Sequence, residues 1–220
     1  MSKLITLKCW NRPIYLYRVL DSLKRCRKIS GYNLLISIEK SDENTKNQII
    51  EAIKLSGITN GVNQLFLAKQ EEKLGCAGNT KFLMKNSFNT KYNTSDYVIH
   101  LEDDTVPAIN CLEYFEQTID IIKKQPDIFF ASCGYNRPCH QANKTDKTKL
   151  VGKKWFDGAG GCAITKQQYD RINEMGGMFG VNYISDKGRT FDCRGEDWLK
   201  EIRKSDTLSW VWPSQKNFSE

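Results

Sequence analysis

The sequence predicts an α/β fold, with a mostly parallel central sheet flanked by helices. Three observations predict it. Short apolar runs alternate with amphipathic segments from Leu4 to Ser132, the pattern of strands returning through crossover helices. Apolar residues between the runs recur at helical spacing, as in Leu16, Val19, Leu20 and Leu23. Turn signals such as Asn11-Arg12-Pro13 and Gly75 to Gly78 separate the segments.

Taken in order, Leu4 to Leu7 reads as a buried strand, and Pro13 stands well at the first position of the helix that follows. Leu34 to Ile38 is a second strand, and Glu39 to Asn44 a polar loop. A helix is expected over Asn47 to Leu55, and a third strand over Gln64 to Ala68. Gly75 to Gly78 should break the chain before a helix containing Phe82, Leu83 and Phe88. Tyr97 to Leu101 is a fourth strand, Leu112 to Ile122 an amphipathic helix, and Ile128 to Ser132 a fifth strand. Beyond that the pattern loosens. Trp155 to Gly161 is rich in glycine and aromatic residues, and helices are expected over Gln167 to Glu174 and Trp198 to Lys204. In sheets of this kind, ligands sit beyond the carboxyl ends of the strands.

A chain of 220 residues, 40% hydrophobic and 27% charged, suits one domain with a substantial core. The longest uncharged apolar stretches, such as Ile128 to Ala131, are too short to cross a bilayer. Met1-Ser2-Lys3 followed by a short strand does not resemble a signal peptide. The expectation is a cytoplasmic protein, of its own cell or of an infected host. The eight cysteines (Cys9, Cys26, Cys76, Cys111, Cys133, Cys139, Cys162 and Cys193) form no CxxC pair. A structural zinc site is therefore disfavoured, and free thiols in a reducing compartment are expected over disulfides. The net charge of +7 permits an anionic partner without demanding one. Its sharpest concentration is a polar, loop-like segment from Arg137 to Lys154, which carries Arg137, Lys144, Lys147, Lys149, Lys153 and Lys154 against Asp146 alone.

Three motifs bear chemistry. In Tyr97-Val98-Ile99-His100-Leu101-Glu102-Asp103-Asp104 an apolar strand runs directly into three carboxylates. Adjacent like charges at a strand end repel one another and resist desolvation. A divalent cation relieves both costs, and Mg²⁺ or Mn²⁺ takes one or two carboxylates plus substrate phosphates. The plain alternative is a solvated acidic turn. In Gly195-Glu196-Asp197-Trp198 a carboxylate pair opens a helix. It serves either as simple capping on the helix dipole or as a general base. Trp155 to Cys162 combines aromatic faces, which pack on sugar rings, with glycines that let backbone approach a ligand. A tight turn beside a core aromatic is the alternative there.

In this order and spacing, the three blocks resemble GT-A glycosyltransferases, from Leu4 to Pro213. The likeness is strongest to the catalytic domain of N-acetylglucosaminyltransferase I, with family 2 glycosyltransferases a little further off. Leu112-Glu113-Tyr114-Phe115, Pro126-Asp127 and Trp212-Pro213 fit the same pattern. The resemblance implies a single GT-A (nucleotide-diphospho-sugar transferase) domain over 1–220. Its nucleotide-binding half covers about 1–104, and its acceptor and catalytic half about 105–220. By the same analogy Glu102-Asp103-Asp104 is a DXD-type motif. Asp104 binds Mn²⁺ or Mg²⁺, Asp103 holds the ribose and Glu102 contacts the donor sugar. Arg12 lies near the base or phosphates, Glu39 reads the uracil edge, and Gly158 to Gly161, with Gly160 and Gly161 foremost, lies under the sugar. Asp197 is the base of an inverting transfer, with Glu196 beside it.

The resemblance thus implies a UDP-sugar donor and a hydroxyl acceptor. The acceptor is a glycan or, given the charge and the lack of a membrane span, a hydroxymethylated base in phage DNA. The resemblance is expected to cover the catalytic domain alone, without the animal enzyme's membrane anchor or additional C-terminal domain. The alternatives are a non-catalytic nucleic-acid-binding protein, supported by the basic segment, and a nucleotidyltransferase on a related sheet. Against the latter, no Gly-rich, Arg- or Lys-bearing phosphate loop stands near the N-terminus.

Overall fold

A computed structural model describes residues 2–124, 131–132, 161–174, 183–184 and 190–191. Strand β1 (Lys3–Cys9) leads through helix α1 (Pro13–Lys24) to β2 (Tyr32–Ile38), α2 (Glu43–Ser56) and β3 (Gln64–Lys69). Helix α3 (Gly75–Asn86), β4 (Tyr97–Glu102) and α4 (Cys111–Lys124) follow. After these come β5 (Ala131–Ser132), β6 (Cys162–Thr165) and α5 (Lys166–Glu174), with a small ribbon of β7 (Tyr183–Ile184) and β8 (Thr190–Phe191). The main sheet has the order β3-β2-β1-β4-β6-β5. Its first four strands are mutually parallel, and β6 runs antiparallel to both β4 and β5. The mostly parallel α/β sheet read from the sequence is what the chain forms.

Strand alternation divides the core between the two faces of this sheet. Ile5, Leu7, Leu34, Ile36, Ile99 and Leu101 pack with Leu16, Val19 and Leu20 of α1, Ile49 and Ile53 of α2, and Phe115 and Ile119 of α4. Leu4, Leu35 and Val98 face the other way, onto Leu83 and Met84 of α3 and Tyr169 of α5. Along this second face the strands turn polar toward their carboxyl ends. Thr6 stands opposite His100, and Lys8 opposite Glu102. The apolar half anchors α3, and the polar half leads into the site.

Local chemistry sets the helix starts. Pro13 opens α1, where no amide is needed. Asp42 caps α2 by accepting the Thr45 amide at 2.9 Å, so this helix starts at Glu43 and takes in part of the segment expected to be loop. The Gly75 to Gly78 segment is also corrected. The break is confined to Gly75, whose φ is +69°, and the helix already runs from Gly75 to Asn86. Phe88 lies just beyond it. The Leu74 amide at this helix start is satisfied by the Glu39 carboxylate at 2.6 Å, which lets the first turn form without a cap from its own sequence. Strand β6 was not expected at all.

Candidate functional site

β1 connects to β2 on one side and lies beside β4 on the other. The strand order therefore reverses between β1 and β4, and loops leaving such a point diverge to form a crevice. Residues after both strands meet there. The Trp10 amide, one residue past β1, donates to Asp103 Oδ2 at 3.1 Å. Arg12 donates through Nη2 to Asp103 Oδ1 and through Nη1 to Asp104 Oδ2 at 2.8 Å. Asp103 is buried, at 2% exposure, while the Asp104 side chain is 38% exposed. One carboxylate is thus locked into the loop and its neighbour faces out.

Glu102 takes a different direction. It stands in register with Lys8, whose Nζ lies 2.8 Å from Glu102 Oε1. The same ammonium reaches Cys76 Sγ at 2.9 Å and Thr80 Oγ1 at 3.4 Å, both on α3. The repulsion among three adjacent carboxylates is therefore relieved by two side-chain cations. Burial opposes the charge on Lys8, and Glu102 and Cys76 outweigh it, so its pKa stands above the ordinary lysine value. Arg12 behaves alike: burial works against its charge, and Asp103 and Asp104 raise its pKa overall.

Behind this pair, His100 is fully enclosed. Thr6 Oγ1 lies 2.9 Å from its Nδ1, and its Nε2 has no hydrogen-bond partner among the described residues. Burial first, and then the Lys8 charge, push its pKa down to about 3. The imidazole is accordingly neutral. Burial likewise raises the Cys9 thiol, with Asp103 adding to the shift and Arg12 opposing it.

Glu39 sits at the carboxyl end of β2, 3% exposed. Its amide donates to the Cys9 carbonyl at 2.8 Å, which ties it to the loop that carries Trp10. Its Oε1 is engaged by the Leu74 amide at the start of α3. Gly161 precedes Cys162, the residue paired with His100, and so stands across from the end of β4. Its φ of +121° belongs to glycine. The structure therefore brings Arg12, Glu102, Asp103 and Asp104 together, with Glu39 and Gly161 bordering them. Gly160, Glu196, Asp197 and the basic segment from Arg137 to Lys154 lie outside the described residues.

Lys8, Trp10, Cys76, Thr80 and the Leu74 amide were missed by sequence reasoning. Only Lys8 left a signal, as a lone charge inside the apolar run Ile5-Thr6-Leu7-Lys8-Cys9. Trp10 is 49% exposed, and Lys73 Nζ lies 5.7 Å from its ring centre.

The divalent ion implied by the resemblance can be tested against these side chains. Among the described residues, no three His, Cys, Asp or Glu side chains converge as a self-sufficient cation nest. A single outward carboxylate, Asp104, does fit Mg²⁺ or Mn²⁺, which complete their shells with substrate phosphates and water.

No protein-family model matches the chain, and no curated protein matches it. Solved structures do. The mannosyltransferase PcManGT from Pyrobaculum calidifontis, in complex with GDP-Man and Mn²⁺, aligns over 96% of this chain and 54% of its own, at 14% identity and a TM-score of 0.61. S. aureus TarS 1-349 in complex with UDP aligns over 98% of this chain and 58% of its own, at 13% identity and a TM-score of 0.54. The chain has the GT-A glycosyltransferase fold. It spans just over half the length of these two structures. The likeness bears out the broader GT-A resemblance rather than N-acetylglucosaminyltransferase I in particular. Within the GT-A fold of this chain, the acidic triplet occupies the carboxyl end of the fourth strand, as the sequence led one to expect. Among the described residues, no helix is long and apolar enough to cross a membrane.

Proposed function

We propose that this chain is a metal-dependent, inverting glycosyltransferase that moves a sugar from a UDP-sugar to an acceptor hydroxyl. The observation that carries the reading is the Glu102-Asp103-Asp104 triplet at the switch point, with Asp103 locked by Trp10 and Arg12 and Asp104 turned outward. Support also comes from the two fold relatives, one described with GDP-Man and Mn²⁺ and the other with UDP.

In this reading Asp104 holds Mn²⁺ or Mg²⁺, and Asp103 fixes the ribose from a rigid seat. Glu39, tied to β1 and α3, borders the base, while Gly160 and Gly161 lie under the sugar. Bound there, the divalent ion supplies positive charge to the departing nucleoside diphosphate. Arg12, already on both aspartates, supplies a second cation at the same place. Asp197, with Glu196 beside it, accepts the proton of the attacking hydroxyl, a role typically worth about a hundred- to ten-thousand-fold. The acceptor is a glycan hydroxyl, or a hydroxymethylated base flipped out of DNA.

Calorimetric titration with UDP and with GDP, each with and without Mn²⁺, tests this reading on the wild type and on Asp104→Ala. Metal-dependent binding of UDP that disappears in the variant is the expected result. Titration unaffected by metal, or by the substitution, would refute it. Product analysis then separates sugar transfer, which releases a nucleoside diphosphate, from nucleotidyl transfer, which releases pyrophosphate.

A further inference from the structure

One guanidinium spans the two carboxylates that follow β4. Arg12 Nη2 is on Asp103 Oδ1 and Nη1 is 2.8 Å from Asp104 Oδ2. The rest of that guanidinium makes no further polar contact among the described residues. Its buried Nε has no hydrogen-bond partner among the described residues, the side chain as a whole is 40% exposed, and the Tyr15 ring lies 5.8 Å from its central carbon. Asp103 does not depend on Arg12 alone, because its other oxygen takes the Trp10 amide. Among the described residues the fork therefore has two tight contacts, both to carboxylates, and one of these is at the surface.

We infer that Arg12 is an internal counter-cation that couples metal binding to nucleotide binding. It offsets part of the negative charge of Asp103 and Asp104 when no donor is present, and yields Asp104 when metal and nucleotide arrive together. The inference rests on Asp104 being the metal carboxylate of the proposed function.

The argument is electrostatic. A divalent ion on Asp104 comes within a few ångströms of a guanidinium already bonded to the same carboxylate. Like charges at that range repel strongly near a protein surface. The free ion must either tolerate the guanidinium or displace it with nothing to offer in return. A nucleoside diphosphate changes the balance, because its oxygens can accept hydrogen bonds from the guanidinium and coordinate the ion at the same time. Arg12 thus disfavours metal alone and favours the metal–nucleotide pair. Coupling of this sort is reciprocal: the nucleotide raises metal affinity as much as the metal raises nucleotide affinity.

Replacing Arg12 should move the two affinities in opposite directions. In Arg12→Met, which keeps the apolar stem, Mn²⁺ alone should bind about tenfold more tightly. UDP in saturating Mn²⁺ should bind at least about tenfold more weakly. A guanidinium that only shaped the loop would weaken both. Mn²⁺ affinity is read by electron paramagnetic resonance on the nucleotide-free protein, and UDP affinity by calorimetry on the same samples. Arg12→Gln serves in parallel should the methionine variant fail to fold. Tighter Mn²⁺ with weaker UDP supports the inference. Wild type that binds UDP with Mn²⁺, alongside variants whose Mn²⁺ affinity is unchanged or reduced, overturns the inference and leaves the proposed function standing. Wild type that binds no nucleotide with Mn²⁺ overturns both.

Discussion

Replacing His100 by asparagine isolates the contribution of one buried imidazole to stability in acid. His100 is fully enclosed on β4, and its pKa falls from 6.5 to about 3. Above pH 6.5 the ring is neutral in both folded and unfolded chains, and contributes nothing to pH dependence. Below that point the unfolded chain takes up a proton that the folded chain refuses. Stability then drops by about 1.4 kcal/mol per pH unit until the folded pKa is reached. Between pH 7 and pH 4 the loss from this residue amounts to about 3 kcal/mol. Asparagine has no such titration and can still hydrogen-bond to Thr6. Urea unfolding of both proteins at pH 7 and pH 4 gives the double difference, which cancels any fixed cost of the substitution. The wild type should lose about 3 kcal/mol more than His100→Asn over this interval. Parallel losses in the two proteins would mean that the native imidazole is hydrated or already charged, and the burial argument would fail.

Other perturbations test the packing and the rim of the site. Phe115→Ala removes a fully buried ring from the α4 face and should cost about 3–5 kcal/mol in urea unfolding; a loss below about 1 kcal/mol would contradict that packing. Lys8→Met leaves Glu102 without its ammonium partner and should cost about 1–3 kcal/mol by the same measurement. An unchanged midpoint would mean that the pair is fully screened. Native-state maleimide labelling followed by mass spectrometry should reach Cys76 before Cys9, Cys26, Cys111 or Cys162, because Cys76 is exposed and the other four are buried. Burial also pushes the Cys26 thiol up to about 11, which keeps it from the reactive thiolate form. Faster labelling of Cys26 than of Cys76 would refute this order.

What could be read from the sequence depended on whether the governing contact was local. β1, β2 and β4 were legible because both of their faces are covered and their apolar runs are almost unbroken. The start of α2 was legible in principle, since Asp42 and Thr45 spell a cap, but the segment's polarity argued for loop. The helix at Gly75 could not be read locally, because the group that satisfies the Leu74 amide at its start is Glu39, which follows β2 and is distant in the chain. β6 escaped for a similar reason. Cys162-Ala163-Ile164-Thr165 is only four residues long, and its identity as a strand comes from antiparallel pairing with β4 rather than from its own pattern. At the site, the triplet itself was plain. Its partners were not, since the match of Lys8 to Glu102 is a fact of register between strands more than ninety residues apart in the chain.

That register gives the triplet its asymmetry. Three consecutive residues leaving a strand cannot all point the same way. Glu102 turns toward α3 and meets Lys8, Asp103 is enclosed by the Trp10 amide and Arg12, and Asp104 is left facing out. Two of the three charges therefore hold the end of β4 to β1, and among the described residues the third is matched only by a half-exposed guanidinium. In the proposed function, a lone metal ion gains little from such a site, because one carboxylate must serve two cations. A ligand that carries its own negative charge gains most, because it restores the missing counter-charge to both. In the proposed function, the arrangement that stabilises this crevice selects for a metal held by an anionic ligand over a metal held by the protein alone.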